Sequence, residues 1–252
     1  MNKLQSIRAI RRKLQRGQPT IGGWMQIPHG SVAEIMGAAG YDWVAIDLEH
    51  GSIGVEQLPD LFRALELGNT LPMARLAEGR SKDCQQALDA GAGGIIVPNI
   101  KDAEQLKAVR DACRWPPAGQ RGVGFCRANR FGGNFGSYAQ LAQAPLLVAM
   151  LEDVRALEEL DPILAVKGLD AVLLGPYDLS ASLGHTGKFN HKDYLCALKT
   201  ILRQARAFSV PVGIHVVEPS VPELRQRIRQ GFRFLPFSID SVFLKKSLEL
   251  KF

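Results

Sequence analysis

The sequence predicts an α/β chain folded as one closed (β/α)8 barrel spanning residues 1–252. Three observations lead there. Short apolar or β-branched runs alternate with helical stretches eight times, and such alternation with short connections makes a parallel sheet with right-handed crossovers. The chain has 252 residues, close to the roughly 250 that eight βα units need. No GxGxxG or GxxxxGK[ST] follows any strand, which argues against the open, doubly wound sheet that is the alternative.

The units follow in order. A basic amphipathic helix at 6–16 precedes the barrel and stops at Gly17. The first strand is Thr20–Met25, followed by a helix at 31–39 with Ser31 and Glu34 at capping-box spacing and Gly40 at its end. Trp43–Asp47 is the second strand, with a helix at 55–67. Leu71–Arg75 is the third, with helix Ser81–Ala90 stopped by Gly91. A fourth strand at 94–98 precedes a helix at 102–112. The stretch 113–137, rich in Gly, Pro and Arg, reads as a long irregular loop of the kind that usually carries function. Leu146–Leu151 is the fifth strand, with a helix at 154–166. Ala171–Leu174 is the sixth, followed by a helical turn from Asp178 and a helix at 191–208. A seventh strand at 211–214 precedes a helix at 220–230 capped by Ser220 and Glu223. The eighth strand, 232–237, leads to a last helix from Asp240.

The composition narrows the function. With 46% hydrophobic and 22% charged residues, the chain can bury a large core. Its net charge of +6 suits small anions. The basic residues are spread along the chain with few aromatic neighbours, so no nucleic-acid partner is expected. Cys84, Cys113, Cys126 and Cys196 show no CxxC spacing, which argues against a zinc site or a disulfide framework. The amino terminus lacks an apolar signal segment, and no apolar run is long enough for a membrane span. A cytoplasmic protein with reduced thiols is expected.

In this fold the reactive residues sit at the carboxyl ends of the strands. Those ends supply Trp24 and Gln26; Asp47, Glu49 and His50; Arg75; Pro98 and Asn99; Glu152 and Asp153; Gly175, Pro176, Tyr177 and Asp178; His215; and Phe237 and Ser238. Glu152 and Asp178 follow neighbouring strands, so both can face one centre. Two carboxylates without a thiolate make a hard oxygen site suited to Mg²⁺ or Mn²⁺. The competing account is two rim carboxylates paired with arginine or capping helices. His50 is a candidate base, and Asp47 could accept from one ring nitrogen and leave the other free. A histidine bonded to backbone is the plainer account. Arg75 could bind a carboxylate or an enolate oxygen, or it could pair with Asp47, Glu49 or Asp89. Arg114, Arg121, Arg127 and Arg130 could form a lid over an acidic substrate or a solvated or subunit-contact loop. The carboxyl-terminal helix carries Val242, Phe243, Leu244, Leu248, Leu250 and Phe252, apolar for a chain end, which suggests packing on the barrel or on a neighbouring subunit.

The runs AGYDWVAIDLEHG (39–51), ALDAGAGGIIVPNI (87–100), RWPPAGQRGVG (114–124), Leu-Glu-Asp (151–153) and GLDAVLLGPYDLSASLG (168–184) together resemble the HpcH/HpaI aldolases, class II pyruvate-dependent enzymes. The resemblance covers most of the chain. It implies a phosphoenolpyruvate/pyruvate-type TIM barrel and a divalent cation (Mg²⁺, Mn²⁺ or Co²⁺) held by Glu152 and Asp178. It further implies a base at His50 supported by Asp47, and Arg75 polarising the 2-oxo oxygen. Asp89 is implied near that pair through a subunit contact. Substrate contacts are implied at Trp24, Gly175, Pro176 and Leu179. The implied assembly is a homo-oligomer, a hexamer or trimer of dimers with exchanged carboxyl-terminal helices.

The implied reaction is reversible cleavage of a 4-hydroxy-2-oxo acid to pyruvate, or a related 2-oxo acid, and an aldehyde. The strand ends offer no lysine for a Schiff base. A citrate-lyase or acyl-CoA-lyase activity and a non-catalytic metabolite-binding barrel are the alternatives. The chain departs from the resemblance at Met150, where Gln is usual, at Asp153, where Thr is frequent, at Tyr177, where Ala is frequent, and over 125–135. These departures bear on the second substrate more than on the metal.

Overall fold

The computed structural model describes residues 1–249. The stretch 250–252, and with it the expectation for Leu250 and Phe252, lies outside the described residues. Eight parallel strands close on themselves: β1 (Thr20–Met25), β2 (Trp43–Asp47), β3 (Leu71–Arg75), β4 (Gly94–Val97), β5 (Leu146–Leu151), β6 (Ala171–Leu174), β7 (Val212–Ile214) and β8 (Phe234–Pro236). Pairing of Thr20 with Phe234 and Ile21 with Leu235 joins the last strand to the first.

Side chains alternate between two apolar layers because successive residues of a strand face opposite ways. Trp43, Ala45, Leu71, Met73, Leu146, Val148, Met150, Ala171 and Leu173 fill the barrel interior. Val44, Ile46, Ala74, Leu147, Ala149, Leu151, Val172 and Leu174 face the surrounding helices. Trp43 stacks on Phe234 with ring centres 4.2 Å apart. That stack needs Gly22 opposite, where any Cβ would collide with the Trp43 ring. The same alternation points Trp24, Asp47 and Arg75 inward at the upper layer, and the next position after Leu151, Glu152, inward as well.

Helix α1 (Lys3–Gln15) closes the lower end with Ile7, Ile10 and Leu14, spaced to share one face. The outer ring contains α2 (Gly30–Ala38), α3 (Leu58–Leu67, preceded by a 3₁₀ turn at Val55–Gln57), α4 (Ser81–Ala90) and α5 (Ala103–Cys113). The cap of α2 is His29, whose Nδ1 accepts from the Ser31 amide at 3.2 Å, not Ser31 itself. The irregular stretch holds a 3₁₀ turn at Arg127–Asn129 and then α6 (Phe135–Ala142), a helix the glycine-rich sequence conceals. Tyr138, Leu141 and Ala142 of α6 join the interior cluster beside Trp115.

The helix expected at 154–166 is two, α7 (Val154–Glu158) and α8 (Leu160–Leu164). Pro162 lacks the N–H that would bond the Glu158 carbonyl, so the helix breaks one turn earlier. The remaining helices are α9 (Pro176–Ser182), α10 (Lys192–Ala207, capped by His191), α11 (Val221–Arg229, capped by Ser220) and α12 (Asp240–Leu248). The four cysteines are free, and no helix among the described residues is long and apolar enough to cross a membrane.

Candidate active site

A cavity of about 270 Å³ opens at the carboxyl ends of the strands, lined by Trp24, Gln26, His50, Arg75, Met150, Glu152, Gly175, Pro176, Tyr177, Asp178, His215, Val217 and Ile239. Larger hollows lie elsewhere, among them one of about 610 Å³ between α1 and residues 127–141 and one of about 830 Å³ against the amino-terminal side of β7.

Asp47 is the centre of the fixed charge. It is completely buried and paired in the ladder with Arg75. Arg75 Nε and Nη2 donate to its two oxygens at 2.9 and 2.6 Å. Trp24 Nε1 and Gln26 Nε2 donate to Oδ2 at 3.1 and 2.9 Å, and the amides of Glu49 and His50 donate to Oδ1 at 3.1 Å. Burial alone would raise the Asp47 pKa. The Arg75 bonds and charge, with the Gln26 and His50 donors, outweigh it and hold the group at about 2. Arg75 Nη1 also meets Glu49 Oε2 at 2.7 Å.

This clamp corrects one expectation. Asp47 holds the His50 backbone and the Arg75 guanidinium, so its oxygens are spent and none accepts from the His50 ring. His50 is exposed, lines the cavity, and its ring has no hydrogen-bond partner among the described residues.

Glu152 stands across the cavity, with only 4% of its surface exposed. Its Oε2 accepts from the Asn99 amide at 3.0 Å, presented by a left-handed backbone at Asn99 (φ 51°). Asn99 Nδ2 donates to Glu49 Oε1 at 3.2 Å, tying the two carboxylates to one loop. Burial pushes the Glu152 pKa up to about 7, and the charges of Glu49 and Asp178 push the same way against the Asn99 amide and Arg75. Gly175 follows β6 one residue beyond Leu174, which pairs with Leu151. A Cβ there would collide with Glu152 Oε1, so the glycine leaves that oxygen its space. Asp178 projects from the first turn of α9, which begins with Pro176.

Two expected residues lie away from this group. Leu179 is fully buried in the outer layer and its amide donates to Gly175 O at 2.9 Å, so neither its side chain nor its N–H faces the cavity. Asp89 lies on α4 among Arg121, Cys126 and Gln85, with its pKa raised by burial, and does not line the cavity of its own chain. Most of the basic loop is likewise spoken for. Arg121 is 2% exposed and donates to Tyr138 Oη, Arg114 donates to Gly168 O, and Arg127 donates to Ala90 O and pairs with Glu66.

The structure adds Met150, Val217 and Ile239 to the wall and gives a place on it to Gln26 and His215, which the strand ends had supplied without a role. The signal for these last two is strand parity. Gln26 stands two residues after Trp24, and His215 two after Gly213 of β7.

A parallel barrel whose upper rim gathers buried carboxylates around a clamped arginine belongs to the (β/α)8 enzymes that act on small oxyanions. The comparisons specify which. Residues 20–245 match the model of the HpcH/HpaI aldolase/citrate lyase family. A hydroxypyruvate/pyruvate aldolase of Roseobacter denitrificans is 36% identical over 242 residues, covering 94% of this chain and 93% of the relative. A 2-keto-3-deoxy-L-rhamnonate aldolase of Klebsiella pneumoniae is 35% identical, covering 99% and 93%. The crystal structure of an HpcH/HpaI aldolase/citrate lyase family protein from Burkholderia cenocepacia superposes with a TM-score of 0.89 at 31% identity, covering 95% of each chain. The chain belongs to the HpcH/HpaI aldolase/citrate lyase family, and within it to the aldolases.

Proposed function

We propose that this aldolase reversibly cleaves a 4-hydroxy-2-oxo acid to pyruvate, or a related 2-oxo acid, and an aldehyde, with a divalent cation held by Glu152 and Asp178. The observation that carries this reading is the buried Glu152, which faces Asp178 in a cavity where Arg75, already bound to Asp47 and Glu49, does not neutralise it. Two carboxylates with no thiolate in the lining suit Mg²⁺, Mn²⁺ or Co²⁺. The other cluster with ligand chemistry among the described residues, His185, His191 and Asp193, lies outside the cavity, and its His191 caps α10. A bound cation supplies Lewis acidity toward the 2-oxo acid.

The chain's own groups do the rest. Arg75 has five N–H donors; two are bonded to Asp47, Nη1 is ion-paired with Glu49, and the donors that remain serve the oxygen that becomes an enolate. The amides of Tyr177 and Asp178, in the first turn of α9 after Pro176, receive the substrate carboxylate. His50, at the mouth of the cavity, takes the proton of the 4-hydroxyl. The C3–C4 bond breaks, the aldehyde carbonyl forms, and the electron pair passes into the enolate of the 2-oxo acid, whose C3 is then protonated. Trp24 forms the wall behind this and locks Asp47.

An acyl-CoA substrate would need a basic groove at the cavity, whereas Arg75 is the one arginine or lysine on its lining among the described residues. We infer a homo-oligomer, in which Asp89 reaches a neighbour's cavity and the exposed Leu244 and Leu248 of α12 are covered. A cytoplasmic site of action accords with the four free cysteines. The test is a pyruvate-release assay on 4-hydroxy-2-oxo acids after treatment with EDTA. Activity that disappears and returns with Mg²⁺, Mn²⁺ or Co²⁺ supports the reading; activity indifferent to chelation contradicts it.

A further inference from the structure

The cavity wall carries one nitrogen that the mechanism above does not use. His215 follows β7, and its ring lies 5.0 Å from the Trp24 ring at 41°. Its Nε2 is 3.3 Å from the carbonyl oxygen of Ser238. Ser238 is itself fixed: its amide donates to Val216 O at 2.7 Å and its backbone is left-handed, with φ 58°. A carbonyl oxygen only accepts, so Nε2 carries the proton, and a neutral ring leaves Nδ1 as a lone-pair acceptor. Burial keeps the ring neutral, holding its pKa at about 4, and the nearby Arg75 acts in the same direction.

Most of the other polar groups of the wall are committed. Trp24 and Gln26 give their N–H groups to Asp47, and Gln26 Oε1 accepts from Ser241 Oγ at 3.4 Å. Arg75 only donates. Glu152 and Asp178 face the cation site, and His50 is the base. What remains of this wall is apolar, Met150, Val217 and Ile239, apart from Tyr177, which is 55% exposed and packs edge-on against Phe189. A methyl group of the donor would be content there. A hydroxyl would lose a hydrogen bond unless His215 Nδ1 accepted its proton.

We propose that His215 is a specificity residue whose Nδ1 accepts a hydrogen bond from a hydroxyl on C3 of the donor 2-oxo acid, so that a hydroxylated donor is preferred to pyruvate. The inference rests on the aldolase reading of this same cavity.

The experiment is aldol addition of hydroxypyruvate and of pyruvate to one common aldehyde by the metal-loaded enzyme. The readout is the ratio of the two kcat/KM values, measured on the same preparation so that partial misfolding of a variant cancels. The wild type should favour hydroxypyruvate. In His215→Leu the ratio should fall roughly 3- to 10-fold, the worth of one hydrogen bond. His215→Asn, which returns an accepting oxygen, should restore part of it. A wild-type preference for pyruvate, or a ratio that stays fixed when His215 is replaced, overturns the proposal and leaves the aldolase reading intact. A wild type that uses neither donor overturns both.

Discussion

Asp47 and Arg75 occupy paired positions on β2 and β3 and meet through two parallel N–H···O bonds of 2.9 and 2.6 Å. Strand pairing fixes their height, inward parity fixes their direction, and Trp24 and Gln26 hold the carboxylate from the neighbouring strand. Arg75 therefore arrives at the cavity already oriented, with no rotamer freedom left to lose when substrate binds.

Arg75→Lys should lower kcat/KM by about 10²-fold or more, because an ammonium cannot make the fork to Asp47 and still reach an enolate oxygen. Steady-state kinetics checks this. Asp47→Ala should cost about 3–5 kcal/mol of stability in denaturant unfolding, since it strips a partner from a buried guanidinium.

Glu152→Gln and Asp178→Asn should each abolish turnover and weaken Mn²⁺ binding in calorimetry. His50→Ala should abolish turnover while leaving Mn²⁺ affinity within a few-fold of wild type. A His50 variant with near-normal rates would show that the base lies elsewhere.

Gly175→Ala should impair cation binding while the barrel stays folded. Its Cβ would press on the Glu152 side chain at Oε1, Cγ and Cδ, and overpacking of this kind costs about 1–3 kcal/mol. Circular dichroism together with a Mn²⁺ titration separates the two effects.

His215 makes one contribution to the pH dependence of stability. Its folded pKa lies at about 4, below the ordinary 6.5, because burial disfavours the cation. Between these values the unfolded chain binds the proton and the folded chain does not. This contribution to stability is complete above pH 6.5 and is lost as pH falls toward 4. Glu152, raised to about 7, acts in the opposite direction over this range, so the test is the difference: in urea unfolding of the metal-free protein, His215→Leu should gain stability relative to wild type on going from pH 7.5 to 5.5.

Much of this was legible in the sequence. The strands β1, β2, β3, β5 and β6 emerged with their bounds because a barrel strand is apolar on both faces and is punctuated by glycine and polar residues. The gathering of Asp47, Arg75, Glu152 and Asp178 at one rim followed from the fold rule that strand carboxyl ends converge. What stayed hidden depended on tertiary detail. The helix Phe135–Ala142 begins in a glycine-rich stretch with weak local propensity and is held by packing on Trp115. The allegiance of Asp47 was undecidable from spacing, since two residues separate it from His50 and a strand pairing separates it from Arg75; the pairing prevailed because two strong donors outcompete one ring nitrogen. Leu179 stands one residue from Asp178, yet the turn of α9 sends it to the opposite layer.

The most direct test of the central claim is the anomalous scattering of a crystal grown with Mn²⁺ and pyruvate. The account predicts one strong manganese peak bound by Glu152 and Asp178, with the pyruvate carboxylate and keto oxygen on the same ion and the keto oxygen facing Arg75. A manganese peak at another site, or pyruvate bound with those two carboxylates turned away from it, would contradict the account.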